Sequence, residues 1–122
     1  MLDTVEEIVA CRDVEEVWAS LRTAMAGLGF PRLLYGFTTH RSGQNLGDRQ
    51  DITILTSFDS AYMESFIGGG LYSHAPMIRW GIDNVGARSW RWITERAEAG
   101  LLEPEEMRLY ELNTHYDLLS GV

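Results

Sequence analysis

With one cysteine, Cys11, the chain cannot form an internal disulfide, and its thiol is expected to be buried and structural in a reducing compartment. Cationic side chains are also few: 10 against 18 acidic ones, for a net charge of -8. Gripping a phosphate backbone takes clustered Lys and Arg, and these ten are scattered, so this chain alone is not expected to bind nucleic acid. No apolar run approaches the ~20 residues of a membrane helix, and the opening MLDTVEEIVA is acidic where a signal peptide would be basic. A soluble cytoplasmic protein without membrane contact is therefore expected. Catalytic sets are missing as well. No nucleophile–base pair and no metal-ligand spacing is visible. His40 reads as a solvated loop residue, and His74, the best acid–base candidate, as a hydrogen-bonded structural one. The expectation is no enzyme, no metal and no cofactor.

A hydrophobic fraction of 45% with 23% charged residues is that of a globular protein, and 122 residues make one domain able to bury roughly two thirds of its unfolded surface. The stretch FDSAYMESFIGGGLYSHAPMIRWGIDNVGARSWRW, residues 58–92, holds three of the four tryptophans, two of the five tyrosines and the run Gly68-Gly69-Gly70. Aromatic residues with a few placed polar groups are what line a small-molecule pocket, so this stretch reads as one pocket wall, against the plainer reading of an aromatic core.

In chain order, Asp3 or Thr4 is expected to cap a short helix carrying Val5, Ile8 and Val9, as a lid or a dimer arm. Asp13 and Glu16 form a capping-box-like start to a longer helix, with Val14, Val17, Trp18, Leu21, Met25 and Leu28 on one stripe and Gly27 or Gly29 at its end. Trp18 is assigned to packing against a sheet. Two strands follow, at about 32–39 and 51–57, paired as an antiparallel hairpin around the polar loop RSGQNLGDRQ. Asp59 caps a helix through Ile67 that sets Tyr62 and Phe66 one turn apart. Pro76 opens a helix carrying Met77, Ile78 and Trp80, and Ser89-Trp90-Arg91-Trp92 reads as extended. Helices are expected over 94–99 and, with Pro104 in its first turn, from Glu105 to about Tyr116, the latter burying Leu109, Leu112 and Tyr116. A two-stranded sheet leaves open edges, so the chain is read as a fragment or as completed by another chain.

Gly29-Phe30 ahead of Tyr35, the pair Tyr62 and Phe66, Ala75-Pro76, Trp90, the helix from Glu105-Glu106 to Tyr110, and Ser120-Gly121-Val122 occur in the order and spacing of a known family. Nearly end to end, the chain resembles the autoinducer-binding domain of LuxR-type quorum-sensing transcription regulators. The resemblance implies an α+β fold, an α-β-α sandwich whose antiparallel sheet is incomplete within residues 1–122. It implies an acyl-homoserine lactone or related apolar signal as ligand, a homodimer, and DNA contact only through a helix-turn-helix domain that this chain lacks. The implied ligand-binding residues are Tyr35, Tyr62, Phe66, Ala75, Pro76 and Trp90. The family's lactone-binding Trp falls on Tyr62, its acyl-carbonyl-binding Tyr on Phe66, and its amide-binding Asp on Ala75, while the adjacent Pro and the later Trp are kept. Altered selectivity is therefore expected. The alternative is a ligand-independent dimerisation module that modulates a full-length regulator.

Overall fold

The computed structural model describes residues 1–39 and 46–122, so His40 and the first half of the polar loop lie outside the described residues. The fold is α+β: the described residues form six α-helices and one two-stranded antiparallel sheet, in two compact units.

The first unit comprises Met1–Gly36 and Thr53–Phe58. Helix α1 spans Leu2–Ala10, and its first turn closes on the Met1 carbonyl, which accepts from Val5 N–H at 3.2 Å. Neither Asp3 nor Thr4 caps it, because both already lie inside the first turn. Helix α2, Val14–Gly27, is capped as its sequence predicts. The Asp13 carboxylate accepts from Glu16 N–H at 2.9 Å, and the Glu16 carboxylate accepts from Arg12 N–H at 2.8 Å. Such reciprocal bonds satisfy amide donors that no helical carbonyl can reach. α1 packs on α2. Cys11 is half-buried rather than buried. Its thiol donates to the Glu7 carbonyl at 3.2 Å and lies 3.8 Å from Ser20 Oγ of α2, so it joins the two helices.

Strand β1 covers Leu34–Thr38 and β2 covers Ile52–Thr56, each shorter than its sequence signal, with a 3-10 turn at Arg49–Asp51 before β2. The ladder is extended at one end by Ser57, whose N–H donates to the Leu33 carbonyl at 2.9 Å and whose Oγ accepts from Leu33 N–H at 2.8 Å.

The second unit comprises Phe37–Ile52 and Asp59–Val122. Asp59 caps α3, Ser60–Met63, by accepting from Ala61 N–H at 2.8 Å. The expected α-helix through Ile67 instead widens into a π-helical turn, Glu64–Gly68. Gly69 N–H closes that turn on the carbonyls of Glu64 at 2.9 Å and Ser65 at 3.2 Å. A Cβ at Gly69 would stand 2.5 Å from the Ser65 carbonyl oxygen, so this closure needs glycine. A 3-10 turn, Leu71–His74, leads to α4, Pro76–Asp83, which Pro76 opens.

Helix α5, Arg91–Glu98, begins three residues before its expected start, and Trp90 precedes it with helical backbone angles rather than extended ones. The Ser89 hydroxyl turns the chain there by accepting from Arg91 N–H at 3.3 Å. Helix α6, Pro104–His115, carries a full capping box between Glu103 and Glu106. It ends where Leu118 N–H donates to the Asn113 carbonyl (2.8 Å) and Asp117 N–H to that of Thr114 (3.2 Å), with Asp117 at φ 56°. That paired closure with a left-handed residue is the usual way to satisfy a helix's last carbonyls, here with aspartate in the place glycine favours. The core of this unit is Tyr62, Phe66, Tyr72, Ala75, Ile93, Leu109 and Leu118, with Asn113 among them.

Candidate functional site

Five of the six residues singled out in the sequence belong to the second unit; Tyr35 lies on β1 in the first, 48% exposed. The spacing of four between Tyr62 and Phe66 stacks their rings at 5.5 Å between centroids and 24° between planes. Tyr116 meets Tyr62 edge-on at 5.5 Å, and Tyr72 meets Phe66 edge-on at 6.5 Å. These offset and edge-to-face arrangements suit the quadrupoles of the rings. Ala75, between the 3-10 turn and α4, has no exposed surface, and Pro76 is buried beside it in the chain.

One polar pair sits inside this cluster. The Tyr62 hydroxyl donates to Asn113 Oδ1 at 2.6 Å, with Tyr62 3% and Asn113 5% exposed. Burial strips the phenolate of water, and it pushes the Tyr62 phenol well above its ordinary value, so the hydroxyl remains a donor at neutral pH. Asn113 was not singled out by the sequence. Its signal was a polar residue one turn after Leu109 on the stripe α6 buries.

Trp90 is half-buried. Its N–H donates to the Gly121 carbonyl at 2.9 Å, and a Cβ at Gly121 would stand 3.1 Å from its ring carbons. Gly121 therefore lies on the indole, so closely that a side-chain carbon there would require the ring to give by a few tenths of an ångström.

Among the described residues, two of the surface grooves have volumes of about 490 and 430 Å³. The first is lined by Ser65, Gly69, Leu71, Arg108, Glu111 and Leu112, the second by Arg88, Trp92, Glu95, Arg96 and Leu101. None of the six sequence-derived residues lines either. Among the described residues no group of three or more His, Cys, Asp or Glu could hold a metal ion, and no helix is long and apolar enough to cross a membrane. His74 lies half-buried in the 3-10 turn before Ala75.

The autoinducer binding domain family matches residues 13–122, everything from the cap of α2 onward. The chain belongs to the autoinducer-binding domain family. No curated protein and no solved structure gives a significant match. Membership makes this a signal-sensing domain of the LuxR type, a regulatory rather than a catalytic family. In this autoinducer-binding domain the aromatic pair of α3 and its π-turn is anchored from α6, through Asn113.

Proposed function

We propose that this domain senses an apolar small molecule for a LuxR-type transcription regulator, with a selectivity that departs from acyl-homoserine lactones. The observation that carries the reading is Ala75. Where the resemblance places an amide-binding carboxylate, the chain has a methyl group with no exposed surface. An amide N–H brought there would lose its water without gaining an acceptor, at a cost of about 1–3 kcal/mol. Phe66 offers no hydroxyl to a carbonyl, and the Tyr62 hydroxyl already donates to Asn113. The ligand-facing set in the second unit is Tyr62, Phe66, Ala75, Pro76 and Trp90. Cytoplasmic action as a homodimer, with DNA contact through a separate helix-turn-helix domain, belongs to the same proposal.

A second reading, a ligand-independent dimerisation module that modulates a full-length regulator, is favoured by how tightly this cluster is closed. Tyr62 and Phe66 are each 3% exposed and pack on one another. Native mass spectrometry of the protein from its own host separates the two: a co-purified small molecule supports sensing, and a ligand-free dimer supports the module. Selectivity is tested by titrating lactones of several acyl lengths against the native domain and Ala75→Asp, with Ala75→Asn as a control for size. The native domain should respond weakly or not at all, and the Asp variant more strongly. Native binding equal to or tighter than that of the variant refutes the argument from the missing carboxylate.

A further inference from the structure

The groove on α5 has a different chemistry from the aromatic core. Arg88 lays its guanidinium carbon 4.4 Å from the centroid of the Trp92 ring and 6.0 Å from that of Trp80. A planar guanidinium held on an indole keeps its edge N–H groups available in a fixed plane, which suits two-pronged bonding to a carboxylate. Arg96, four residues after Trp92 on the same helix, lines the groove too, and its Nη2 donates to the Leu101 carbonyl at 3.3 Å. Neither arginine is in an ion pair among the described residues. In a chain of net charge -8, two of its ten cations thus line one groove of about 430 Å³. Glu95 adds one carboxylate, and Leu101 and Trp92 add apolar wall.

We propose that this groove binds a free α-amino acid with an apolar side chain. Its carboxylate lies on Arg88 and Arg96, its ammonium group faces Glu95, and its side chain rests on Trp92 and Leu101. A simple anion would meet Glu95 as a repulsive neighbour, and a simple cation would meet two guanidinium groups. A zwitterion with an apolar tail satisfies all five lining residues. Since none of them belongs to the aromatic cluster around Tyr62, the site stands whether or not that cluster takes a signal.

The test is isothermal titration of the intact chain with L-phenylalanine, N-acetyl-L-phenylalanine and L-phenylalaninamide. Saturable binding of phenylalanine is expected, with phenylalaninamide at least about tenfold weaker for want of the carboxylate. Arg88→Gln and Arg96→Gln should each weaken phenylalanine by about tenfold or more. Both side chains are exposed, and circular dichroism confirms that each variant keeps its helices. Glu95→Gln should weaken phenylalanine and leave N-acetylphenylalanine unchanged, since only the former has an ammonium group. Tighter binding of the N-acetyl compound than of phenylalanine would overturn the free amino acid in favour of the C-terminal residue of a peptide. Absence of saturable binding, equal binding of the amide, or unchanged affinity in both arginine variants would overturn the site itself.

Discussion

In the first unit no side chain is buried, and Leu2, Val5, Val9, Val14 and Leu28 are all at least half exposed. In the second, Tyr62, Phe66, Ala75 and Leu109 are at most 3% exposed. Both units have well-formed helices, so helix formation and core formation are separate achievements here. α2 is held by its cap, by the Arg12–Glu16 bond and by its contact with α1, all of them local. α3, the π-turn and α6 are held by contacts between residues some fifty positions apart, such as Tyr62 with Asn113. Local bonds give helices that are individually marginal; burial of an amphipathic face is what commits them to one arrangement.

This contrast can be broken by substitution. Phe66→Ala in the second unit should lower stability by about 3–5 kcal/mol, measured by denaturant unfolding, since it removes a buried ring against which Tyr62 and Tyr72 pack. A loss below about 1 kcal/mol would show that the cluster is not the core it resembles geometrically. Asn113→Ala should cost about 1–3 kcal/mol, the price of leaving the buried Tyr62 hydroxyl without its acceptor. A double-mutant cycle with Tyr62→Phe should recover most of that loss as coupling.

The same pair has a pH signature. Burial raises the Tyr62 phenol above its ordinary value of about 10, so on alkaline titration the unfolded chain releases this proton before the folded one does. The stability contributed by the neutral phenol is therefore complete below about pH 10. It is lost as pH rises toward the folded value, at up to about 1.4 kcal/mol per pH unit. Tyr62→Phe should flatten that part of the alkaline decline; an identical decline in both proteins would show that Tyr62 is not shielded from water. The smallest effect is expected in the first unit: Leu28→Ala, at a side chain 62% exposed, should change stability by no more than about 0.5 kcal/mol. A larger loss there would mean that α2 is covered in solution and that the contrast between the units is overstated.

Sequence legibility follows the same division between local and distant causes. The caps of α2 and α3 could be read directly because Asp13 and Asp59 act within three residues of the bonds they make, whereas the Glu103–Glu106 box of α6 went unread. Pro76 and Pro104 at their first turns were legible for the same reason. The pairing of Tyr62 with Phe66 followed from a spacing of four. The helical onset at Trp90 was hidden because part of what fixes it, the Gly121 carbonyl, lies 31 positions later. Asn113 was hidden because a polar residue in an apolar stripe looks like surface until its partner is seen. The missing cap of α1 reflects two good capping residues, Asp3 and Thr4, that fall inside the first turn, past the N-cap position held by Met1. The helices and the two strands could be read from local pattern and the fold class from the family resemblance, but the closed packing around Ala75 could not, since a methyl group carries no pattern.

The π-turn at Glu64–Gly68 has a consequence for chain length. An α-helix repeats every 3.6 residues, and a turn closed on the fifth residue back holds one more than the helix requires. Deleting that surplus residue would return the turn to ordinary helical phase while Asp59 still caps its start. The segment between Met63 and Gly69 is therefore where this domain can lose a residue and keep both flanks, and where related chains one residue shorter should show an uninterrupted α-helix.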